Sequence, residues 1–493
     1  VPLKLQAGFY RNGTELDASN RWRDGSLVRW RDGSLRPIGG WQSFKNGFCA
    51  NPIRGAHAWE ANDGTAYFAA GSYNELSAMT GAGTAYDITP ATMSAGREDA
   101  AQNLGFGGGF YGTGYFGTQR PLTGSYSEAT SWSLDNFGDK AICLIHDSAV
   151  FEWDSSLSNA TDTRATIISG APTASRHMLV STPDRHLVFF GTETTIGDTS
   201  TQDDMFIRFS DQEDINTYTP TATNTAGTQR LADGSQIRGA IRGRDAIYVW
   251  TDTALFTQRF VGQPFTFAFA QVGTNCGLVG QNACVEVDGS AYWMSENGFF
   301  RYAGKLESLP CLVEDHVYDN INLESGNQMV SAGLNNLFGE VMWFYPTTGS
   351  SVVNRMVCYN YFDSSPQRPV WTVGTLARTM WEDSAVFGSP HALEYDAATD
   401  TSFDVVGNTE GRTTYYQHET GTDQVKGSAV TAITANIASG DFDISQRRSV
   451  TGQTTGAADF RGDGEFIMKI RRFIPDFISQ TGNTQVTLQL RNF

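Results

Sequence analysis

Paired carboxylates are the first residues in this sequence that could do chemistry, because a glycoside hydrolase places two carboxylates around the bond it cleaves. Three adjacent pairs occur, Asp203/Asp204, Glu213/Asp214 and Glu382/Asp383. Nothing in their spacing brings two of them to the separation that hydrolysis needs. We therefore interpret each pair as part of a solvated loop.

A glycine-rich stretch fits the letters of a dinucleotide-binding motif. Residues 107–112 read GGGFYG, but the following GTGYFGTQRP has no helical period, and the motif works only between a strand and a helix. We attribute the match to chance and predict no cofactor. Aromatic residues are enriched at interface cores, so this uncharged loop is predicted to supply assembly contacts through Phe110, Tyr111, Tyr115 and Phe116.

Histidine and cysteine lack the spacing of a metal site. The seven histidines occur without an HxH or HExxH motif, and the six cysteines without a CxxC pair, whereas zinc sites need such close ligands. A GxSxG nucleophile elbow and a Walker A loop are also missing from the sequence. We expect no catalytic residue, no metal and no enzyme activity, and we expect buried, reduced thiols, as in a protein made in the cytoplasm.

The most basic segment is RWRDGSLVRWRDGSLRP at 21–37, in which the heptapeptide RWRDGSL occurs twice. Asp24-Gly25 and Asp32-Gly33 are turn dipeptides. The residues between them alternate, which predicts a strand with Val28 and Trp30 on one face and Arg29 on the other. A strand–turn–strand unit this short cannot bury two faces alone, so we expect it to dock on a larger body.

The arginines of this segment are interpreted as contacts to acidic protein surface. The chain has 35 Lys and Arg against 53 Asp and Glu, a formal net charge of −18, and a DNA-reading segment usually lies in a basic field. The predicted assembly contacts are Arg21, Arg23, Arg29, Arg31 and Arg36.

Composition indicates a large folded protein of short strands. Apolar residues make up 40% of the chain and aromatic residues 12%, enough for a substantial core, and 52 glycines are typical of many tight turns. The acidic balance argues against general affinity for nucleic acid or anionic membrane. We expect a soluble protein, because no apolar run approaches the roughly 20 residues of a membrane span and the N-terminal stretch lacks a secretory apolar region.

A strand, a Gly/Asp/Asn turn and a second aromatic-rich strand recur along the chain. After a longer first interval, successive copies begin roughly 40–60 residues apart, the spacing of β-propeller blades. The sequence therefore predicts a mainly β fold, a β-propeller-like core of antiparallel blades with additional β-rich modules, in which helices are few and short and 309–321 is the best helical candidate. The copies lie at 57–71, 139–154, 177–191, 237–260, 283–304 and 337–362.

These patterns divide the chain into three parts. We predict an N-terminal hairpin segment at 1–50 that completes or docks on the propeller, a propeller at 51–400 with a long polar insertion at about 192–235, and a β-rich module at 401–493. In the last part, TQVTLQLRNF alternates Val486, Leu488 and Leu490 with polar residues, which predicts a half-buried strand.

Several phrases, taken together and in order, resemble one family. GFYRNGTELDASNRWRDGSLVRWRDGSLRPIGGW (8–41) is similar to the opening of the tail nozzle proteins of short-tailed bacteriophages, also called packaged-DNA stabilisation or tail tubular proteins. IRFSDQEDINTYTPTATNTAGTQRLADGSQI (207–237) resembles their middle segment, and the blocks at 275–322 and 338–381 resemble the two blocks that succeed that segment in the family. The resemblance covers most of 7–396.

The resemblance implies a structural virion protein. Its subunits would form a ring or tube, expected to be a hexamer, that extends the DNA channel below the portal and the adaptor ring, retains packaged DNA and conducts it during ejection. It implies partners in further copies, the adaptor or head-to-tail connector, and tail fibres or a needle or plug, with duplex DNA passing unbound. The location would be the virion tail, after synthesis in the bacterial cytoplasm.

Two other functions stay open from the residues alone. One is a β-propeller that binds or hydrolyses glycans, which would need clustered aromatic residues and carboxylates in an axial pocket. The other is a propeller that acts as an interaction scaffold for cellular partners. The resemblance transfers no catalytic residue and no individual channel or interface position.

Overall fold

Nearly all regular structure in the described part of the chain is β-strand. The computed structural model describes residues 5–15, 17–100, 128–157, 160, 163–323, 327–396 and 412–441, together with 474, 476–479 and 483–489. Before the first predicted repeat come five strands, β1 (Gln6–Phe9), β2 (Arg21–Ser26), β3 (Val28–Arg31), β4 (Ser34–Pro37) and β5 (Trp41–Cys49).

Six consecutive four-stranded antiparallel meanders come next along the chain. Their short strands alternate with Gly- and Asp-rich turns, as the repeated hairpin pattern predicts. Blades 1 to 3 are β6 (Ala56–Glu60), β7 (Ala66–Gly71), β8 (Leu76–Thr80), β9 (Ala85–Asp87); β10 (Trp132–Phe137), β11 (Lys140–Ile145), β12 (Val150–Asp154), β13 (Thr166–Ile167); and β14 (Ser175–Ser181), β15 (His186–Thr192), β16 (Phe206–Phe209), β17 (Gly227–Arg230). Blades 4 to 6 are β18 (Ile237–Arg242), β19 (Ile247–Thr251), β20 (Ala254–Gly262), β21 (Thr266–Thr274); β22 (Cys284–Val287), β23 (Ser290–Ser295), β24 (Gly298–Tyr302), β25 (Leu306–Leu309); and β26 (Ser331–Asn335), β27 (Glu340–Tyr345), β28 (Arg355–Asn360), β29 (Trp371–Gly374).

A seventh blade is assembled from both sides of this series. Its strands are β30 (Met380–Glu382), β31 (His391–Tyr395) and β32 (Thr413–His418), and β5 pairs antiparallel with β32 as its fourth strand. The first strands of the seven blades each pack against the next, and β30 packs against β6, so the blades close into a ring. The fold is a seven-bladed β-propeller.

The propeller extends beyond its predicted range, 51–400, at both ends. Strand β5 lies before residue 51 and β32 after residue 400, yet both belong to blade 7. The hairpin β33 (Asp423–Lys426) and β34 (Ala429–Ala432) extends the same sheet beyond β5, and β35 (Asn436–Ser439) pairs with β2. The described residues 412–441 therefore do not form a separate module.

The polar segment at 192–235 also contains blade structure. Strands β16 and β17 lie within it and pair through Phe206–Phe209, so they form the outer half of blade 3 rather than an insertion. The best helical candidate is confirmed, since α1 (Glu314–Tyr318) lies inside it. Two single-turn 3-10 helices, Thr199–Thr201 and Asn327–Met329, also lie in the described part of the chain.

The predicted C-terminal strand does not form in the described residues. Residues 483–489 have no strand pairing, and the side chains of Val486 and Leu488 are 48% and 46% exposed. Leu490 lies outside the described residues. The prediction of a half-buried strand is therefore wrong for the described part of this segment.

Buried tryptophans join neighbouring blades. The indole N–H of Trp132 in blade 2 donates to the carbonyl oxygen of Ser72 after β7, at 2.6 Å, and that of Trp381 in blade 7 donates to Leu334 in blade 6, at 2.9 Å. Burying an indole while satisfying its N–H gains apolar area without leaving an unpaired donor. All six cysteines are buried and free, as predicted. Among the described residues, no helix is long and apolar enough to cross a bilayer.

Candidate assembly surface

The arginine hairpin, strands β3 and β4, is docked on blade 6. Its turn is Asp32-Gly33, with φ of 51° and 71°, which is the two-residue turn that the sequence predicts. On its buried face Trp30 meets Phe9 edge-on, with ring centroids 5.2 Å apart. Asn360 at the end of β28 donates to the carbonyl oxygen of Trp30 at 2.9 Å, which joins the hairpin to the blade.

Arg29 lies inside this junction. Its Nη1 and Nη2 donate to the two carboxylate oxygens of Glu419 at 2.9 and 2.6 Å, Nη2 also lies 3.1 Å from Glu340, and the guanidinium lies 3.8 Å from the Phe338 ring centroid. The Arg29 side chain is only 5% exposed. The prediction that Arg29 contacts another subunit is therefore wrong, because its charge is used within its own chain.

Two carboxylates share this single guanidinium. Burial acts to lower the pKa of Arg29, but Glu340 and Glu419 outweigh it and hold that pKa above its usual value. Burial, helped by the charge of Glu419, raises the pKa of Glu340 to about 7 even with Arg29 beside it. The cluster joins the N-terminal hairpin, blade 6 and the end of β32 in one buried network.

Arg21 and Arg23 line a loop of their own chain. The Arg21 guanidinium lies 4.8 Å from the centroid of the Tyr10 ring. Arg23 donates to the carbonyl oxygens of Tyr10 and Gly13, both at a long 3.4 Å. Both side chains are half-buried, so only part of each remains for another molecule.

Arg31 and Arg36 are exposed and belong to a larger surface. Arg31 approaches Asp32 only at 4.0 Å, a weak contact between two solvated groups. Exposed apolar side chains occur on the same hairpin and in the adjoining loops of blade 6, Leu35 at 36%, Leu337 at 48% and Phe362 at 64%. We call Arg31, Leu35, Arg36, Leu337 and Phe362 the blade 6 patch.

Three loops contribute residues to the blade 6 patch. Phe338 lies under both Arg29 and Arg31, and Phe362 packs over Gly339, where a Cβ atom would come within 2.3 Å of its ring. Glycine at 339 also adopts a φ of +68° that other residues rarely take. The turn between β26 and β27 is therefore shaped to hold Phe362 at the surface.

The four predicted aromatic contacts, Phe110, Tyr111, Tyr115 and Phe116, lie outside the described residues. The chain on either side is anchored, because Thr130 N donates to the carbonyl oxygen of Arg97 at 3.0 Å and Arg97 N donates to the Thr130 hydroxyl at 2.8 Å. Glu128, two residues earlier, contacts Arg176 at 2.9 Å and Arg238 at 3.1 Å. Burial acts to raise the pKa of Glu128, but His146 and the two guanidinium groups outweigh it and lower that pKa to about 2.

A polar network bridges the inner strands of blades 2, 3 and 4. The Ser133 hydroxyl lies 2.7 Å from His177 Nδ1, and His177 Nε2 lies 2.9 Å from the carbonyl oxygen of Ala240. Arg242 donates to both carboxylate oxygens of Asp135 at 2.8 Å. Burial lowers the pKa of His177 to about 4, so the imidazole stays neutral at pH 7. The network fixes the relative positions of the three blades.

One cluster in blade 3 has the residue types of a catalytic triad, which the sequence did not indicate. His186 lies 2.6 Å from Asp184 through Nδ1 and 3.0 Å from the Thr225 hydroxyl through Nε2. The Thr225 hydroxyl, however, donates to Asp211 at 2.6 Å and accepts from the Gln212 backbone N–H at 2.9 Å. Its proton is directed to Asp211 and not to His186, so these contacts hold loops together and do not activate a nucleophile.

The predicted carboxylate pairs do not converge on one site. Asp203 binds Arg230 at 2.6 Å and Asp204 lies 3.4 Å from Arg176, both in blade 3. Glu382 lies far along the chain, in blade 7. In the described part of the chain, no group of three or more His, Cys, Asp or Glu side chains could hold a metal ion.

An acidic depression lies between blades 2 and 3. It is open, has a volume of about 400 Å³, and is lined by Asp139, Asp154, Glu213 and Asp214 together with Lys140 and Arg185. Only Glu213/Asp214 stands out in the sequence as a carboxylate pair. Asp139 and Asp154 meet at the open end of the predicted hairpin 139–154, but only the packing of blade 3 on blade 2 brings Glu213 and Asp214 to them.

Comparison with protein-family models gives no match, and comparison with curated proteins gives none either. Among solved structures, this chain is similar to a computationally designed protein, Ika8, with 8% identity over 77% of this chain and 99% of that one, and a TM-score of 0.37. It is also similar to a chain of a mitotic checkpoint complex, with 9% identity over 85% of this chain and 98% of that one, and a TM-score of 0.40.

Proposed function

We propose that this protein is a tail nozzle subunit of a short-tailed bacteriophage. Copies of it would form a ring that extends the DNA channel below a portal and adaptor, retain packaged DNA and conduct it during ejection. The proposal rests on the ordered resemblance of residues 7–396 to that family. It assigns the protein to the virion tail, with structural rather than enzymatic activity.

The single structural observation that supports the proposal is the blade 6 patch. Exposed apolar side chains next to arginines are typical of protein contact surfaces and unusual on a surface that meets only water. The patch includes Leu35, Arg31 and Arg36 of the repeated heptapeptide segment, which is part of the most distinctive phrase of the resemblance. A subunit of an assembly needs such a surface.

Net charge agrees with the role of a conduit. Cationic walls bind duplex DNA through counterion release at each phosphate, so they would hold DNA in place. A chain with a formal net charge of −18 repels DNA at close range and lets it pass. DNA is then retained by closure of the channel and not by affinity for its wall.

The proposal is tested by sedimentation and negative-stain imaging of the purified protein, alone and with an adaptor-bearing portal complex. We expect a closed ring on that complex with an axial hole at least about 20 Å wide, the diameter that duplex DNA requires. A protein that stays monomeric and does not bind the complex would overturn the proposal. Glycan binding by that monomer would then support the alternative propeller function.

A further inference from the structure

We infer that the blade 6 patch of one copy docks on the acidic depression between blades 2 and 3 of a second copy. This inference deepens the proposed function and rests on it for the closure of the ring. The contact itself is argued from the charges, exposure and positions of the two surfaces.

The blade 6 patch presents its arginines on a rigid support. The buried pairing of Arg29 with Glu340 and Glu419 fixes strand β3, and Arg31 lies two residues further along the same strand. Arg36 lies opposite Arg29 on β4. Because the support is fixed by buried contacts, the two exposed guanidinium groups lose little backbone freedom when they bind.

The acidic depression has carboxylates in excess over its cations. Lys140 lies 2.7 Å from Glu152, so its charge is already compensated by a residue outside the depression. Arg185 lies 4.0 Å from Glu213, and both side chains are largely exposed, at 47% and 69%. This weak pair leaves Glu213 free to accept another guanidinium, and Arg–carboxylate pairs can be bidentate.

The positions of the two surfaces suit a repeating contact. Both lie at the end of the propeller where the inner strands finish, at the β26–β27 turn for the patch and the β10–β11 and β14–β15 turns for the depression. Round the seven blades, blade 6 is three steps from blade 2 in one direction and three steps from blade 3 in the other. The two surfaces thus lie at the same end of the propeller but at opposite points of its circumference. A contact between two different surfaces is heterologous, and it can continue from copy to copy until a ring closes.

Charge reversal on each side tests the contact. Variant A carries Arg31→Glu and Arg36→Glu, variant B carries Asp154→Lys and Glu213→Lys, and variant C carries all four changes. The matched control carries Arg244→Glu and Arg259→Glu, two exposed arginines of blade 4 that belong to neither surface. The melting temperature of every variant is measured to confirm that it folds, and association is followed by sedimentation at low and high salt.

We expect the association constant of A and of B to fall by about a hundredfold or more, since like charges then face each other. A mixture of A and B should regain association beyond dimers, because the unchanged patch of B faces the unchanged depression of A and the reversed patch of A faces the reversed depression of B. Variant C should regain association for the second of these reasons. The control should associate as the wild type does, and salt should weaken the wild-type contact. Equal association of A, B, the control and the wild type would overturn the inference.

The outcomes separate this inference from the proposed function. If wild-type protein forms rings on the portal complex and variants A and B do so equally well, the inference fails and the nozzle function stands. If wild-type protein associates through these surfaces but ignores the portal complex, the inference stands and the nozzle function fails. A wild-type protein that is monomeric at every concentration and ignores the complex overturns both.

Discussion

At the scale of single residues, the function of an arginine in this chain depends on what it meets in space. Arg29 and Arg31 are two positions apart on one strand, yet Arg29 is buried between Glu340 and Glu419 while Arg31 is exposed. Local sequence treats them alike, because each flanks Trp30 in the same alternating pattern. Their different environments come from blade 6 and from the end of β32, far along the chain.

Replacing Arg29 with Met should destabilise the protein by about 3–5 kcal/mol, because it leaves the Glu340 and Glu419 carboxylates buried without their cation. Arg36→Met removes the same charge from the neighbouring strand and should change stability by less than about 0.5 kcal/mol. Urea unfolding of both variants beside the wild type measures the difference. Equal effects of the two substitutions would show that the buried cluster contributes nothing to stability.

His177 should make the fold sensitive to acid. Its pKa in the folded protein is lowered from 6.5 to about 4 by burial, so the unfolded chain binds the proton more readily. The stability that neutral His177 contributes is complete above pH 6.5 and is lost as the pH falls from there towards 4. The wild type should therefore lose stability relative to His177→Gln over that range, as measured by unfolding at a series of pH values. Parallel stability curves for the two proteins would contradict this prediction.

At the scale of elements, the two copies of RWRDGSL fold differently. In the second copy Asp32-Gly33 forms the predicted turn between β3 and β4. In the first, Asp24-Gly25 lies within strand β2 and no turn forms, which corrects the prediction made from the dipeptide alone. The reason is a neighbour distant in sequence, since β35 pairs with β2 and places the Asn436 carbonyl oxygen beside Gly25.

Alanine at these two glycines should therefore be costly for different reasons. Gly33 faces open space but has a φ of +71°, so Gly33→Ala should cost about 1 kcal/mol. At Gly25 a Cβ atom would lie 2.6 Å from the Asn436 carbonyl oxygen and 2.7 Å from the Phe9 ring, so Gly25→Ala should cost about 2 kcal/mol or more. Thermal unfolding of both variants tests the order, and a larger loss at Gly33 would refute this account of the first copy.

At the scale of the whole molecule, the propeller is closed by hydrogen bonds between strands that are distant in sequence. Strand β5, before blade 1, lies between β32 and β33, which come after blade 6. We call this junction of β5 with β32 and β33 the seam. It is reinforced by Arg29, whose ion-pair partner Glu419 lies just beyond β32. Closure thus links both ends of the propeller into one cooperative unit.

Proline in the closing strand should open this seam. Strand β5 is paired on both sides, so Ser43→Pro removes an N–H from the sheet and should cost about 3 kcal/mol or more. Thr431→Pro is the control, because it lies in β34, which has a partner on one side only and tolerates proline better. Limited proteolysis and thermal unfolding should show the larger effect for Ser43→Pro. If the two variants are equally stable, the seam is not what closes the propeller.

Local patterns in the sequence are enough to predict the β-propeller class, because each of six blades is a run of neighbouring hairpins whose alternation and turn residues are close together in the chain. They also indicate the short helix, the Asp32-Gly33 turn and the buried cysteines. They do not reveal the seventh blade, the burial of Arg29 or the acidic depression. Each of these combines residues from segments distant in the chain, and only packing in three dimensions brings their hydrogen bonds and charges together.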